Sequence, residues 1–190
     1  MSEENWCQKQ LADEKLRLLL EKVDDDLAAA VCRGGCLYCG GKLHRSDYPR
    51  LPRGGPEWSW RHSFCCAECR RRHTPESVRF LGRRVYAGVV VVLVSAMTHG
   101  LGPERVQKLR EALGIDSRTL ERWRQWWLGQ FTGGSFWKEA RARLAPPVCE
   151  ATLPLSLCER FEVWSEGRLL ALLRWLAPIT APSAAAERVM

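Results

Sequence analysis

The sequence predicts a mainly α-helical fold interrupted by one small β-element, and three observations predict it. Apolar residues recur at helical spacing over residues 8–30 and 117–127 and again from Leu169 to Leu176. Downstream of the first helix lies a Pro- and Gly-broken segment, and there Trp58-Ser59-Trp60-Arg61-His62-Ser63-Phe64 alternates large and polar side chains, as a strand does. Two cysteine pairs of identical spacing, Cys36-Leu37-Tyr38-Cys39 and Cys66-Ala67-Glu68-Cys69, bracket that segment.

The first helix, residues 8–30, carries Leu11, Leu16, Leu18, Leu19, Leu20, Val23 and Leu27 among charges, too many apolar positions for a lone exposed helix. Arg33-Gly34-Gly35 ends it. The first cysteine pair continues into Gly40-Gly41, whose conformational freedom lets the chain turn tightly and aim amide N–H groups at the sulfurs. Residues 46–58 hold Pro49, Pro52, Gly54-Gly55 and Pro56 and read as an irregular loop. The strand that follows leads into the second pair.

Two such pairs joined by a hairpin supply four thiolates, the donor set zinc takes in closed tetrahedral sites. One structural Zn2+ is therefore expected on Cys36, Cys39, Cys66 and Cys69. Four thiolates leave no position for water or substrate, so the metal's work is folding rather than catalysis. Cys65 is the rival to Cys66, but strand alternation turns its side chain to the opposite face, and only Cys66 leaves two residues before Cys69. Cys32, four residues before Cys36, is a weaker rival. His44 and His62 have the chemistry of ligands without the spacing.

Beyond the second pair, Val85 to Thr98 reads as a helix despite its β-branched run Val89-Val90-Val91-Val92, and Glu104 to Leu113 as a second, ended by Gly114. Asp116 or Ser117 caps a third, which turns Leu120, Trp123 and Trp127 inward. This order reads as a helix-turn-helix. Ser117, Arg118, Thr119, Arg122 and Gln125 are then the residues expected to face the groove or phosphates of double-stranded DNA. Arg70, Arg71, Arg72, Arg83 and Arg84 are candidate phosphate clamps, and Arg50 and Arg53 candidate minor-groove arms.

Charge supports that assignment. The chain of 190 residues carries a net +7, but residues 1–32 hold four Lys/Arg against eight Asp/Glu, residues 33–145 hold 21 against nine, and residues 146–190 hold four against five. The basic excess thus falls on the cysteine pairs and the helices after them, where phosphate attraction is useful. Nine cysteines would suit a secreted disulfide scaffold, yet Met1-Ser2-Glu3-Glu4-Asn5 has no export signal, so a reducing cytoplasm is expected. The longest apolar run, Val85 to Met97, falls short of the roughly 20 residues of a membrane span.

Taken together, the expected fold is mainly α with a small β zinc ribbon: the ribbon, then a three-helix helix-turn-helix unit, then extra C-terminal helices. In segments this is 1–32 acidic helix, 33–73 zinc ribbon, 74–132 helix-turn-helix, 133–176 C-terminal helical segment and 177–190 disordered tail. Within the fourth segment, Phe136 to Leu144 is helical, Pro146-Pro147 breaks it, and Leu169, Leu172, Leu173 and Leu176 mark another amphipathic helix.

This order of parts resembles the zinc-ribbon plus helix-turn-helix module of bacterial insertion-sequence transposases and their small accessory regulators. The resemblance is carried by Cys36, Cys39, Phe64-Cys65-Cys66-Ala67-Glu68-Cys69, Thr74-Pro75-Glu76-Ser77, the helix near Val85–Thr98 and Leu113-Gly114-Ile115-Asp116-Ser117-Arg118-Thr119 through Trp123. It covers residues 33–130, some half of the chain, and implies binding to transposon ends in the bacterial nucleoid, with a transposase or another protein as partner. Such transposases add a two-metal catalytic core built on Asp and Glu. Here no aspartate follows Asp116, so no catalytic core and no enzymatic activity are expected. The alternatives are a zinc-ribbon scaffold for protein partners, docking through the first helix and the Leu169–Leu176 face, and RNA binding through the same arginines.

Overall fold

The computed structural model describes residues 9–50, 59–81, 87–98, 103–104, 106–107, 111, 115–165 and 167–181. It is mostly helical with a small antiparallel sheet. The chain divides into two compact units, one of residues 13–87 with 174–190 and one of residues 1–12 with 88–173. The acidic helix and the cysteine segment, expected as separate segments, therefore belong to one unit.

In that unit α1 (Glu14–Gly34) starts at Asp13, whose carboxylate accepts from the N–H groups of Lys15 (2.8 Å) and Leu16 (3.3 Å). This is the N-cap that satisfies otherwise orphaned donors. The helix buries Leu20, Val23, Asp24 and Ala28 and runs four residues past its predicted end, to the turn where Gly35 takes φ 73°. β1 (Leu43–Arg45), β4 (Phe64–Cys66) and β5 (Arg72–His73) form a three-stranded antiparallel sheet, β4 central, with Leu43 opposite Cys66 and Phe64 opposite His73.

The loop expected over residues 46–58 contains a strand. β2 (Tyr48–Arg50) pairs with β3 (Ser59–Arg61) in a separate two-stranded sheet, and Pro49 is tolerated because its strand has only one partner. The single strand read over residues 58–64 is accordingly two, β3 and β4, assigned to different sheets with His62-Ser63 between them.

A buried polar network fastens residues 77–79 to α1. Asp24, 1% exposed, accepts from Ser77 Oγ (2.6 Å), the Val78 N–H (2.7 Å) and Arg79 Nε (2.8 Å). Arg79 also donates to Glu21 Oε1 (3.0 Å), Ser59 Oγ (3.1 Å) and the Trp60 carbonyl (2.8 Å). Every buried charge here is paired and hydrogen-bonded, the condition under which burial is tolerated. Ala177–Thr180, expected as disordered tail, forms a 3-10 turn: Ala177 is buried and Thr180 Oγ1 accepts from the Ser77 N–H (2.8 Å). Residues 182–190 of that tail lie outside the described residues.

In the other unit every residue of α2 (Gly88–Met97) is buried, so this helix has no polar face. Burying a valine contributes about 1.5–3 kcal/mol, against a helix-propensity cost of at most about 0.7 kcal/mol. Packing therefore overrides the β-branched run. α2 packs on α3 (Ser117–Gln125) and α5 (Leu155–Arg160). α3 continues into a π-helical turn, Trp126–Phe131, followed by α4 (Ser135–Ala140). Four residues overshoot an α-helical turn by about 40°, and the wider π turn takes back part of that drift, keeping Trp123, Trp127 and Phe131 all buried. Trp137 completes this aromatic core, its ring 5.1 Å from Phe131 and its indole N–H donating to Glu150 Oε1 (2.8 Å).

The last helix, α6 (Arg168–Leu176), matches its predicted pattern, with Leu169, Leu172, Leu173 and Leu176 all buried. Among the described residues no helix is long and apolar enough to cross a membrane. Most of the expected helix Glu104–Leu113, and its terminating Gly114, lie outside the described residues.

Candidate metal centre

Each cysteine pair is shaped by its own backbone turn. In the first, the Cys36 N–H donates to the Gly41 carbonyl (2.9 Å) and the Gly40 N–H to the Cys36 carbonyl (2.8 Å), with Gly40 at φ 73°. In the second, the Cys66 N–H donates to the Arg71 carbonyl (3.0 Å) and the Arg70 N–H to the Cys66 carbonyl (3.2 Å), with Arg70 at φ 60°. The Ala67 N–H donates to the Lys42 carbonyl (2.9 Å), tying one turn to the other.

The result brings four sulfurs together. The Sγ atoms of Cys36, Cys39, Cys66 and Cys69 all lie within 4.8 Å of one another, with Cys36–Cys69 and Cys39–Cys66 each at 3.5 Å. A zinc ion bonded to four thiolates at 2.3 Å sets tetrahedral sulfurs about 3.8 Å apart. The cluster fits that donor set, and these four residues are the ones that would hold the metal.

Its electrostatics suit a cation. Burial pushes the Cys36 thiol up, but the N–H groups of Tyr38 and Cys39 together outweigh it and bring it below the ordinary thiol range. The N–H of Cys69, with that of Glu68, holds Cys66 down at about 6. Against these, Cys69 receives the Arg71 N–H, yet burial and the three neighbouring sulfurs push it up to about 12. Cys39, which accepts from the Gly41 N–H, is likewise raised by Cys66. Amides favour thiolates while neighbouring negative charge opposes a full set. A divalent cation resolves that conflict.

Cys65 points away, as strand alternation predicts: its Sγ lies 3.5 Å from the Arg70 carbonyl, and it pairs across the sheet with exposed Arg72. Cys32 is exposed on α1, and His44 is exposed on β1. His62 is buried between Asp25 (Nε2 to Oδ1, 3.0 Å) and Asp47 (Nδ1 to Oδ2, 3.2 Å), outside the cluster. One participant was invisible in the sequence. His73 is buried with Nε2 3.2 Å from Cys36 Sγ, and only the pairing of β5 with β4 carries it there.

Gly41 is where the chain passes closest to the sulfurs. A Cβ there would lie 2.7 Å from Glu68 Cγ, 3.2 Å from Cys66 Sγ and 3.3 Å from Cys39 Sγ. Gly41→Ala is expected to weaken metal binding about tenfold or more by displacing two ligands. Gly34→Ala, where a Cβ meets nothing within 4 Å, should leave it unchanged. Competition with a chromophoric chelator measures both.

The candidate nucleic-acid residues divide. On α3, Ser117, Arg118, Arg122 and Gln125 are exposed, Gln125 donating to Glu121 Oε1 (3.1 Å). Thr119, expected on the same face, is instead 2% exposed and belongs to the helix cap. The Asp116 carboxylate accepts its N–H (2.7 Å) and its hydroxyl (3.1 Å), and Arg122 donates to that hydroxyl (2.7 Å). The Thr119 N–H is the main cause holding Asp116 below the usual carboxylate range. In the cysteine unit Arg70, Arg71 and Arg72 are exposed, with the Arg71 guanidinium 4.2 Å over the Tyr38 ring. Arg50, 4.7 Å over the Tyr48 ring, lies on a strand rather than a loose arm. Arg53, Arg83 and Arg84 lie outside the described residues. Comparison with family models, curated proteins and solved structures finds no match for this chain.

Proposed function

We propose that this chain is a zinc-stabilised, non-enzymatic protein that binds double-stranded DNA. What carries the reading is the surface of α3, where Ser117, Arg118, Arg122 and Gln125 are exposed along one short helix whose opposite side is anchored by Trp123. A rigid, buried back and a basic, hydrogen-bonding front are what insertion into a major groove requires. Zinc, when bound, supplies four metal–thiolate bonds that stand in for a core. Around it, Cys36, Cys39, Cys66 and Cys69 hold the two turns together, so that Arg70, Arg71 and Arg72 are offered to phosphates from a fixed backbone. The resemblance over residues 33–130 adds the finer assignment of an accessory or regulatory protein of a mobile element.

Fluorescence anisotropy of the full chain on duplex, titrated with salt, tests this. Arg118→Ala with Arg122→Ala is expected to weaken binding roughly five- to hundredfold and to flatten the salt slope by about one to two. Unchanged affinity and slope would remove α3 as the reader. A protein-scaffold reading would then rest on α1, where Leu18 and Leu19 are 52% and 47% exposed.

A further inference from the structure

We propose that His73 is a positioning residue of the metal centre: its Nε2–H donates to the Cys36 sulfur and holds that thiolate in place. The inference rests on the zinc reading above and is independent of DNA binding. On β5 the alternation of side chains turns Arg72 out and His73 in, opposite Phe64 and on the same buried side as Phe64 and Cys66. The ring is 7% exposed, and its Nε2 lies 3.2 Å from Cys36 Sγ. Tyr38 tilts against it with ring centroids 5.5 Å apart, and Arg71 covers Tyr38 in turn. Tyr38 also donates its own N–H to Cys36 Sγ (3.5 Å). The imidazole is thus fixed by a pair drawn from both cysteine turns.

Neutral histidine has one donor and one acceptor nitrogen, and a metal-bound thiolate has only lone pairs to offer. The contact therefore selects the tautomer protonated at Nε2. His73 is not a ligand, because the four sulfurs already form a complete set within 4.8 Å of one another. Donation to sulfur fixes its position and makes it a poorer base and nucleophile, so Cys36 is less open to attack by a proton or electrophile and slower to be displaced from the metal.

The test uses the full chain with one equivalent of zinc or Co(II). A long-range proton–nitrogen spectrum of the zinc-loaded wild type is expected to show His73 protonated at Nε2; an unprotonated Nε2 overturns the proposal. His73→Phe keeps a ring and loses the donor, and His73→Gln restores an N–H. The Phe variant is expected to keep a four-sulfur Co(II) spectrum, to shift its sulfur-to-metal charge-transfer band to lower energy, and to release zinc to a chelator about tenfold faster. The Gln variant should return toward wild type in both. Unchanged band and rate in the Phe variant, or a wild-type spectrum of three sulfurs and one nitrogen, overturns it. Zinc stoichiometry of the wild type is measured first: no bound metal would sink the zinc reading and this proposal together, whereas one equivalent with a silent Phe variant sinks this proposal alone.

Discussion

Removing the metal with a strong chelator is expected to unfold the three-stranded sheet β1-β4-β5. The apolar cluster beneath it consists of Ala28, Cys36, Leu43, Phe64 and Cys66, with Val31 and Cys69 packed against it, and three of these seven belong to the four-sulfur cluster. What is left is too small to hold three short strands against chain entropy. Without metal, the four sulfurs, all within 4.8 Å of one another, lose the bonds that would tie the two cysteine turns together. Hydrogen exchange measures the outcome: the amides of Cys66 and Ala67, both hydrogen-bonded in the cysteine turns, should lose protection, while those of α2 in the other unit keep theirs. Cys39→Ser and Cys66→Ser should each abolish stoichiometric zinc. Acid should act like chelator, because the ligands must be thiolates. Protection unchanged by chelation would mean that the sheet stands without metal.

Asp24→Ala is expected to cost about 3–5 kcal/mol, the usual penalty for breaking a buried ion pair by removing one member. The substitution takes the buried carboxylate from the guanidinium of Arg79, 8% exposed, leaving it only the more exposed Glu21, and removes the acceptor of the Ser77 hydroxyl and the Val78 amide at once. Urea denaturation of the zinc-loaded chain measures this. The double variant Asp24→Leu with Arg79→Met should be less destabilised than the sum of the two singles, since removing both charges also removes the desolvation penalty of the survivor. Additive losses would show that the two residues do not act as a pair.

The clustering of Cys36, Cys39, Cys66 and Cys69 is readable because a Cys-x-x-Cys turn is local: two residues of spacing place both sulfurs on one short loop. Strand parity likewise separates Cys66 from Cys65. The leucines of α6 and the inward Trp123 and Trp127 follow from helical period. Thr119 was misplaced because an outward position and a capping position coincide at the first turn of a helix, and here the Asp116 carboxylate takes the threonine inward. β2 was missed because proline and glycine dominate the composition around it, and composition does not reveal that a later strand supplies a partner.

Spacing and periodicity alone define the two cysteine pairs, the helices α1, α3 and α6 and the basic middle of the chain, since each depends on residues a few positions apart. Folding adds what depends on distant residues. Asp24 meets its partners 53 to 55 positions away, and His73 reaches Cys36 across 37. A carboxylate in a charged helix and a histidine after three arginines read as solvated surface. They become a buried ion pair and a sulfur contact only when packing excludes water, because a charge or donor taken out of water must find its partner in the protein.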